Sequence, residues 1–314
     1  MKKLGEKAYN EIRTWMYRNA RPLDLALWQF YFENGSREEV VRRLGFYQNV
    51  DGGFGNGIEP DCWNPESSPY GTLNAIGILR EIGFLDMSHP VLLGIVRFLE
   101  CGAHSSPTGW HFSIPSNDNW PRAPWWTYSE KSNQVQDLGI TAPLCSFILR
   151  YGDRQSELFE RVCGYVDNIL ENVSHTEDFG EMGVEGLEVL AGDIGESGLS
   201  GRFDCSVIRA GMADHINRSI ERDPDQWQFY THRPSEFIGS PASPFYPGNE
   251  EIVAKELDYL IDTRNQDGVW NITWTWFDLM EQYAKEFAVA ENWWMAAGAI
   301  KKVLFLKILT EYKR

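Results

Sequence analysis

Basic residues are scarce in this chain: 29 Lys and Arg stand against 45 Asp and Glu, a net charge of −16 over 314 residues. Nucleic-acid affinity comes largely from Lys and Arg neutralising phosphates, and anionic membrane surfaces recruit the same cations. Neither partner is expected. No uncharged run reaches the roughly 20 residues that a bilayer-spanning helix needs. The C-terminal stretch 293–312 is interrupted by Lys301, Lys302 and Lys307 and reads as packing material. Met1-Lys2-Lys3-Leu4-Gly5-Glu6-Lys7 contains no apolar core of a secretory signal. The 5 cysteines are scattered, with no Cys-x-x-Cys pair, as suits buried reduced thiols. A cytoplasmic protein without membrane insertion is the expectation. No Pro/Ser-rich linker divides the chain, which reads as a single domain over 1–314.

Aromatic residues are plentiful by contrast, at 14% with 13 Trp. Large rings either fill a helical core or line a cavity for an apolar, cationic or sugar-like ligand. The most informative stretch is Gln48–Gly83. Asn49-Val50-Asp51-Gly52-Gly53 is built from residues that tolerate positive φ and bond their own backbone. Phe54 follows as an aromatic plug, and Ser68-Pro69 opens a helix with a capping oxygen and a proline at its first position. That helix, apolar on nearly every side, reads as interior and stops at Gly83. The pattern returns at Asn265-Gln266-Asp267-Gly268-Val269-Trp270, and a third, degenerate copy leaves only Gly109-Trp110.

Hydrophobic periodicity extends the alternation. Residues 5–19 form a helix with Ala8, Ile12, Trp15 and Met16 on one face, and 36–47 opens with a capping box from Ser36 to Glu39. Outer, amphipathic helices are predicted at 36–47, 90–101, 155–172, 204–220, 250–264 and 293–312. Inner helices are predicted at 22–33, 70–83, 140–151, 183–191 and 273–287, with Pro143 unsettling the start of the third. The sixth inner element falls on 235–246, where Pro241 and Pro244 forbid a regular helix. An all-α (α/α)6 toroid of alternating outer and inner helices, one inner element degenerate, is the economical architecture.

The run Gln48-Asn49-x-Asp51-Gly52-Gly53-Phe54, followed by Tyr70-x-Thr72-x-x-Ala75, resembles the Gln/Trp repeat of the terpenoid cyclase and protein prenyltransferase β-subunit superfamily. The resemblance implies an α/α toroid. Its chemistry does not carry over. The prenyltransferases hold zinc with an Asp-x-Cys pair and a later His, whereas Asp61-Cys62 and Asp204-Cys205 are adjacent here. The cyclases' Asp-x-Asp-Asp and the magnesium-binding Asp-Asp-x-x-Asp are both absent. No metal or other cofactor is implied.

In such an alternation the long connections 49–69, 102–136, 173–182, 221–249 and 265–272 share one rim, together with the positive ends of the inner helices. The second connection is the most unusual: Trp110, Trp120, Trp125 and Trp126 bracket His111, Asp118 and Arg122, and three prolines stiffen it. It reads either as a site wall, with Asp118 as acid or base and His111 as its partner, or as a plug in which the rings pin the loop and Asp118 caps a turn. Glu59 and Asp61, held apart by Pro60, offer a carboxylate pair for general acid–base work, or else are solvated loop acids. Trp63, Tyr70, Trp274 and Trp276 complete the candidate ligand-binding set with Trp110, Trp120, Arg122, Trp125 and Trp126. His175 with Glu177, Asp178 and Glu181 forms either a metal cluster or a solvated acidic loop. Asp51 and Asp267 sit inside the turns and read as structural.

Three functions from different classes follow. One is a prenyltransferase-like or terpenoid-cyclase-like protein holding an apolar ligand in an aromatic cavity. Another is a carbohydrate-active barrel working through paired carboxylates. The third is a binding module without catalysis. Each takes a small-molecule ligand, apolar or sugar-like.

Overall fold

The computed structural model describes residues 2–176 and 179–311. It is mostly helical, with 63% helix and 3% strand. The α-helices in chain order are α1 (Glu6–Asn19), α2 (Pro22–Phe32), α3 (Arg37–Leu44), α4 (Pro69–Glu81), α5 (Pro90–Glu100), α6 (Glu130–Tyr151), α7 (Glu157–Asn172), α8 (Gly180–Glu196), α9 (Ser206–Ser219), the single turn α10 (Pro234–Phe237), α11 (Glu250–Asp262) and α12 (Met280–Glu311). A two-residue hairpin pairs β1 (Ser105–Ser106) with β2 (Gly109–Trp110). No helix among the described residues is long and apolar enough to cross a membrane.

The chain divides into two compact units: residues 44–213, and residues 1–43 together with 214–314. In the first unit the Gly-rich turn is closed by Asn49 N–H to Gly53 O (2.9 Å) and Gly52 N–H to Asn49 O (3.0 Å). Gly52 has φ +97°, and a Cβ there would fall 2.1 Å from Gly94 O on α5. Gln48 fastens the turn by donating from Nε2 to Gly52 O and to Val91 O, both at 2.9 Å. Asp51 accepts from Gly53 N–H and from Ser67 Oγ, so it is a turn residue. Phe54 is fully buried, and Ser68 caps α4 as expected, accepting Gly71 N–H at 2.9 Å.

The second unit repeats that backbone arrangement. Asn265 N–H donates to Val269 O (2.7 Å) and Gly268 N–H to Asn265 O (3.0 Å), with Gly268 at φ +87°. Trp270 stands near the place of Phe54, buried and donating Nε1–H to Leu260 O.

Two elements depart from expectation. α6 begins ten residues before 140 and continues through Pro143. Its partner α8 packs at glycine distance: a Cβ on Gly139 would lie 2.8 Å from Met182 Cβ, and one on Gly186 would lie 3.0 Å from the Pro143 ring. Close packing along the segment offsets the lost hydrogen bond. At the C-terminus the separate helices expected at 273–287 and 293–312 are instead one helix, α12, kinked at Tyr283 (φ −123°, ψ 30°). No glycine or proline stands between 280 and 297 to stop it, and the β-branched and aromatic run Thr273–Phe277 stays outside the helix.

Candidate functional site

In the first unit the two long connections close on each other. Trp63 N–H donates to Pro121 O, Ala123 N–H to Asp61 O, and Asn64 Nδ2 to Ser116 Oγ and Asn117 Oδ1, all between 2.8 and 2.9 Å. Arg122 rivets the layer through Asp118 O, Trp120 O and Thr127 Oγ1. Arg122 also reaches Asp118 Oδ1 at 3.2 Å, and that oxygen accepts Tyr128 N–H. Asp118 is therefore an exposed loop clip.

Glu59 and Asp61 lie beneath this layer, 6% and 1% exposed. They are buried acids, not solvated ones, whereas the Asp118 carboxylate is exposed. Glu59 accepts Asp61 N–H (3.4 Å) and Asn74 Nδ2 (3.3 Å), and the Tyr70 hydroxyl is hydrogen-bonded to it. Burial first, and the Glu59 carboxylate second, hold the Tyr70 phenol well above its ordinary range. Tyr70, Phe112 and Trp126 pack together, with Phe112 and Trp126 stacked at 4.5 Å and 16° and Tyr70 4.3 Å from Trp126. The cavity left among them is about 20 Å³, room for a single water. Cys62 on its wall is pushed up to about 12 by burial, which suppresses the thiolate that a zinc ligand must be.

The remaining candidates scatter. His111 pairs through Nδ1 with Asp137 Oδ2 on α6 at 3.0 Å, and not with Asp118. Trp110 is buried edge-on to Tyr165, while Trp120 and Trp125 are exposed. Trp63 donates Nε1–H to Pro60 O. His175 closes a short 3₁₀ turn. Glu177 and Asp178 lie outside the described residues, as does the side chain of Glu181.

Trp274 and Trp276 belong to the second unit. Trp276 is buried against Phe287. Trp274 is the centre of an edge-to-face series, 6.1 Å from Tyr230 and 5.4 Å from Trp294. The large apolar residues Phe229, Tyr230 and Phe277, beside Tyr230 and Trp274 in sequence, are 58%, 58% and 63% exposed. Phe277 is held at φ +46°, a region a bulky residue rarely adopts.

Buried charges escaped the sequence reading. Glu256 is fully buried and accepts Ser235 N–H (2.8 Å) and Oγ–H (2.6 Å), with Arg233 at 3.9 Å. Asp24 and Arg21 form a buried pair at 2.7 Å. Its signal was legible: Asp24 is the lone acid in an otherwise apolar helix, three residues after an arginine. The partners of Glu256 lie some twenty residues away in a proline-rich segment, and no local spacing announces them.

No protein-family model, curated protein or solved structure matches the chain.

Proposed function

We propose that the protein binds an apolar, terpenoid-type small molecule on an α/α-toroid scaffold of the terpenoid cyclase and prenyltransferase kind. The scaffold reading rests on the duplicated turn, whose two copies close through the same backbone bonds. One observation carries the ligand reading: Tyr230, Trp274 and Trp294 meet edge to face, and Phe229 and Phe277, close to Tyr230 and Trp274 in sequence, present exposed rings. Exposed aromatic patches of this kind mark binding surfaces, because water gains when apolar matter covers them. A strained backbone at Phe277 is consistent with a position held for contact rather than for stability. In the first unit, Tyr70, Phe112 and Trp126 are already packed on one another, and the cavity among them has room only for a water. The reading is of binding without ionisation chemistry, since the superfamily's aspartate and zinc motifs are absent.

Titration with farnesol, followed by tryptophan fluorescence, tests this. Saturable quenching is expected, weakened about tenfold by Trp274→Ala, as loss of one aromatic contact of about 1–1.5 kcal/mol requires, and largely restored in Trp274→Phe. Absence of saturation, or unchanged affinity in Trp274→Ala, would exclude it.

A further inference from the structure

The second unit also contains a large open groove of about 1170 Å³, bounded by α1, the turn around Asn265–Asn271 and the middle of α12. α1 buries Ile12, Trp15 and Met16 and lays its polar positions Asn10, Thr14 and Arg18 along the groove at helical spacing. Across from them stand Asn265, Asn271 and Asn292. Trp15 and Met295 give the lining its apolar part.

The lining is unusual in its amides. Each asparagine offers two N–H donors and a carbonyl acceptor, so it can meet a hydroxyl in either role. Among the described residues the Asn10 side chain has no hydrogen-bond partner, and Asn271 uses only its oxygen, which accepts Asn265 Nδ2 at 2.7 Å. That bond, together with the turn's own closure, fixes Asn271 before any ligand arrives, which lowers the ordering cost of binding.

Charge narrows the ligand further. Glu6, Glu11, Asp267 and Glu291 face Lys7 and Arg18 around the groove, an excess that repels anions. Glu11 is already held by Arg264 at 3.1 Å, so the acids do not form one free cationic site. A neutral ligand rich in hydroxyls, long enough to run beside four turns of helix, fits this chemistry.

We propose that the groove between α1 and the Asn265–Asn271 turn binds a neutral oligosaccharide, with the amides of Asn10 and Asn271 as its principal hydrogen-bonding contacts. The site is separate in residues and in ligand class from the aromatic surface at Trp274, and each stands or falls alone.

Isothermal titration calorimetry with maltotetraose, cellotetraose and mannotetraose, each to millimolar concentration, provides the test. Saturable binding of at least one is expected. Asn10→Ala combined with Asn271→Ala should weaken it about tenfold or more, the cost of two lost hydrogen bonds, at an unchanged melting temperature. Asn10→Gln alone should retain most of the affinity. No heat with any of the three sugars overturns the proposal, and so does binding that the double variant leaves intact. If the double variant melts early, Asn10→Ala alone is the substitute, and unaltered binding there overturns the proposal equally.

Discussion

The ammonium of Lys302 lies over the indole of Trp270, with Nζ 5.7 Å from the ring centroid. Burial, then the positive charge of Arg233, lower it to about 7, with Glu256 opposing. Lys301 and Glu236 add smaller effects of opposite sign. Between pH 7 and the ordinary lysine value of about 10.4, the unfolded chain holds a proton that the folded chain has released. Stability should therefore rise with pH across that window, and below it the cost of burying the charge is paid in full. Lys302→Met should raise the melting temperature at pH 7 by several degrees, for about 2 kcal/mol, and flatten the pH dependence. Thermal melts at pH 6, 8 and 10 check both.

Gln48 spans from its own turn to α5 with two hydrogen bonds from one amide nitrogen. Gln48→Ala should cost about 1–3 kcal/mol in urea unfolding, because Val91 O loses a side-chain donor. Gly52→Ala should cost more, about 3 kcal/mol or above, since its φ is positive and the added carbon would meet Gly94 O. Similar stability of the two variants would show that the turn tolerates rearrangement.

Glu256 depends on Ser235 for both of its hydrogen bonds from that element. Burial raises its carboxyl above the ordinary range, with the serine bonds and Arg233 opposing. Ser235→Ala removes one donor and leaves a buried oxygen short of a partner, at about 1–3 kcal/mol. The loss should be largest above the acidic range, where the carboxylate is charged, and should shrink as pH falls and the group protonates. Urea melts of the variant at pH 4 and pH 8 measure the difference.

Cysteine reactivity gives a fourth check. Cys101 is exposed, whereas burial pushes Cys62 up to about 12 and raises Cys145 further. With a thiol-specific reagent at pH 8, Cys101 should label first, and Cys62 and Cys145 only after denaturation. Mass mapping of the labelled peptides assigns the order, and rapid labelling of Cys62 would contradict its placement.

Most helices were legible because their signals are local. Ser68-Pro69 announced α4, and the apolar spacing of Leu158, Val162, Val166 and Ile169 announced α7. The turns at 49–53 and 265–269 were legible from glycine and asparagine alone. What failed was non-local. Pro143 suggested a boundary, yet packing of α8 against Gly139 carried the helix through it. Thr273–Phe277 had enough apolar residues for a helix, but β-branched and aromatic side chains gain little there, and the run stayed irregular, ending in a short 3₁₀ turn from Phe277. The candidate acids were found as residue types, while their burial was not: Asp118 reached the surface as a clip and Glu59 the interior beside Tyr70, because the loops that place them close through contacts some sixty residues apart in sequence. The groove was missed because its amides are spread over three distant segments.

The two matched turns differ in what their tips are asked to do. At the first, Asp51 is committed inward, held by Ser67 and Gly53, and Gln48 is clamped to the neighbouring helix. At the second, the same backbone closure holds and Arg264 supplies the clamp, donating to Gly268 O and to Glu11 on α1, while among the described residues the Asp267 carboxylate has no such inward partner and lines the groove. A motif that closes through main-chain bonds needs little from its outward side chains. One copy can thus serve as a fastener while its twin keeps a free edge, and a single piece of backbone design supplies both anchorage and a vacant shoreline.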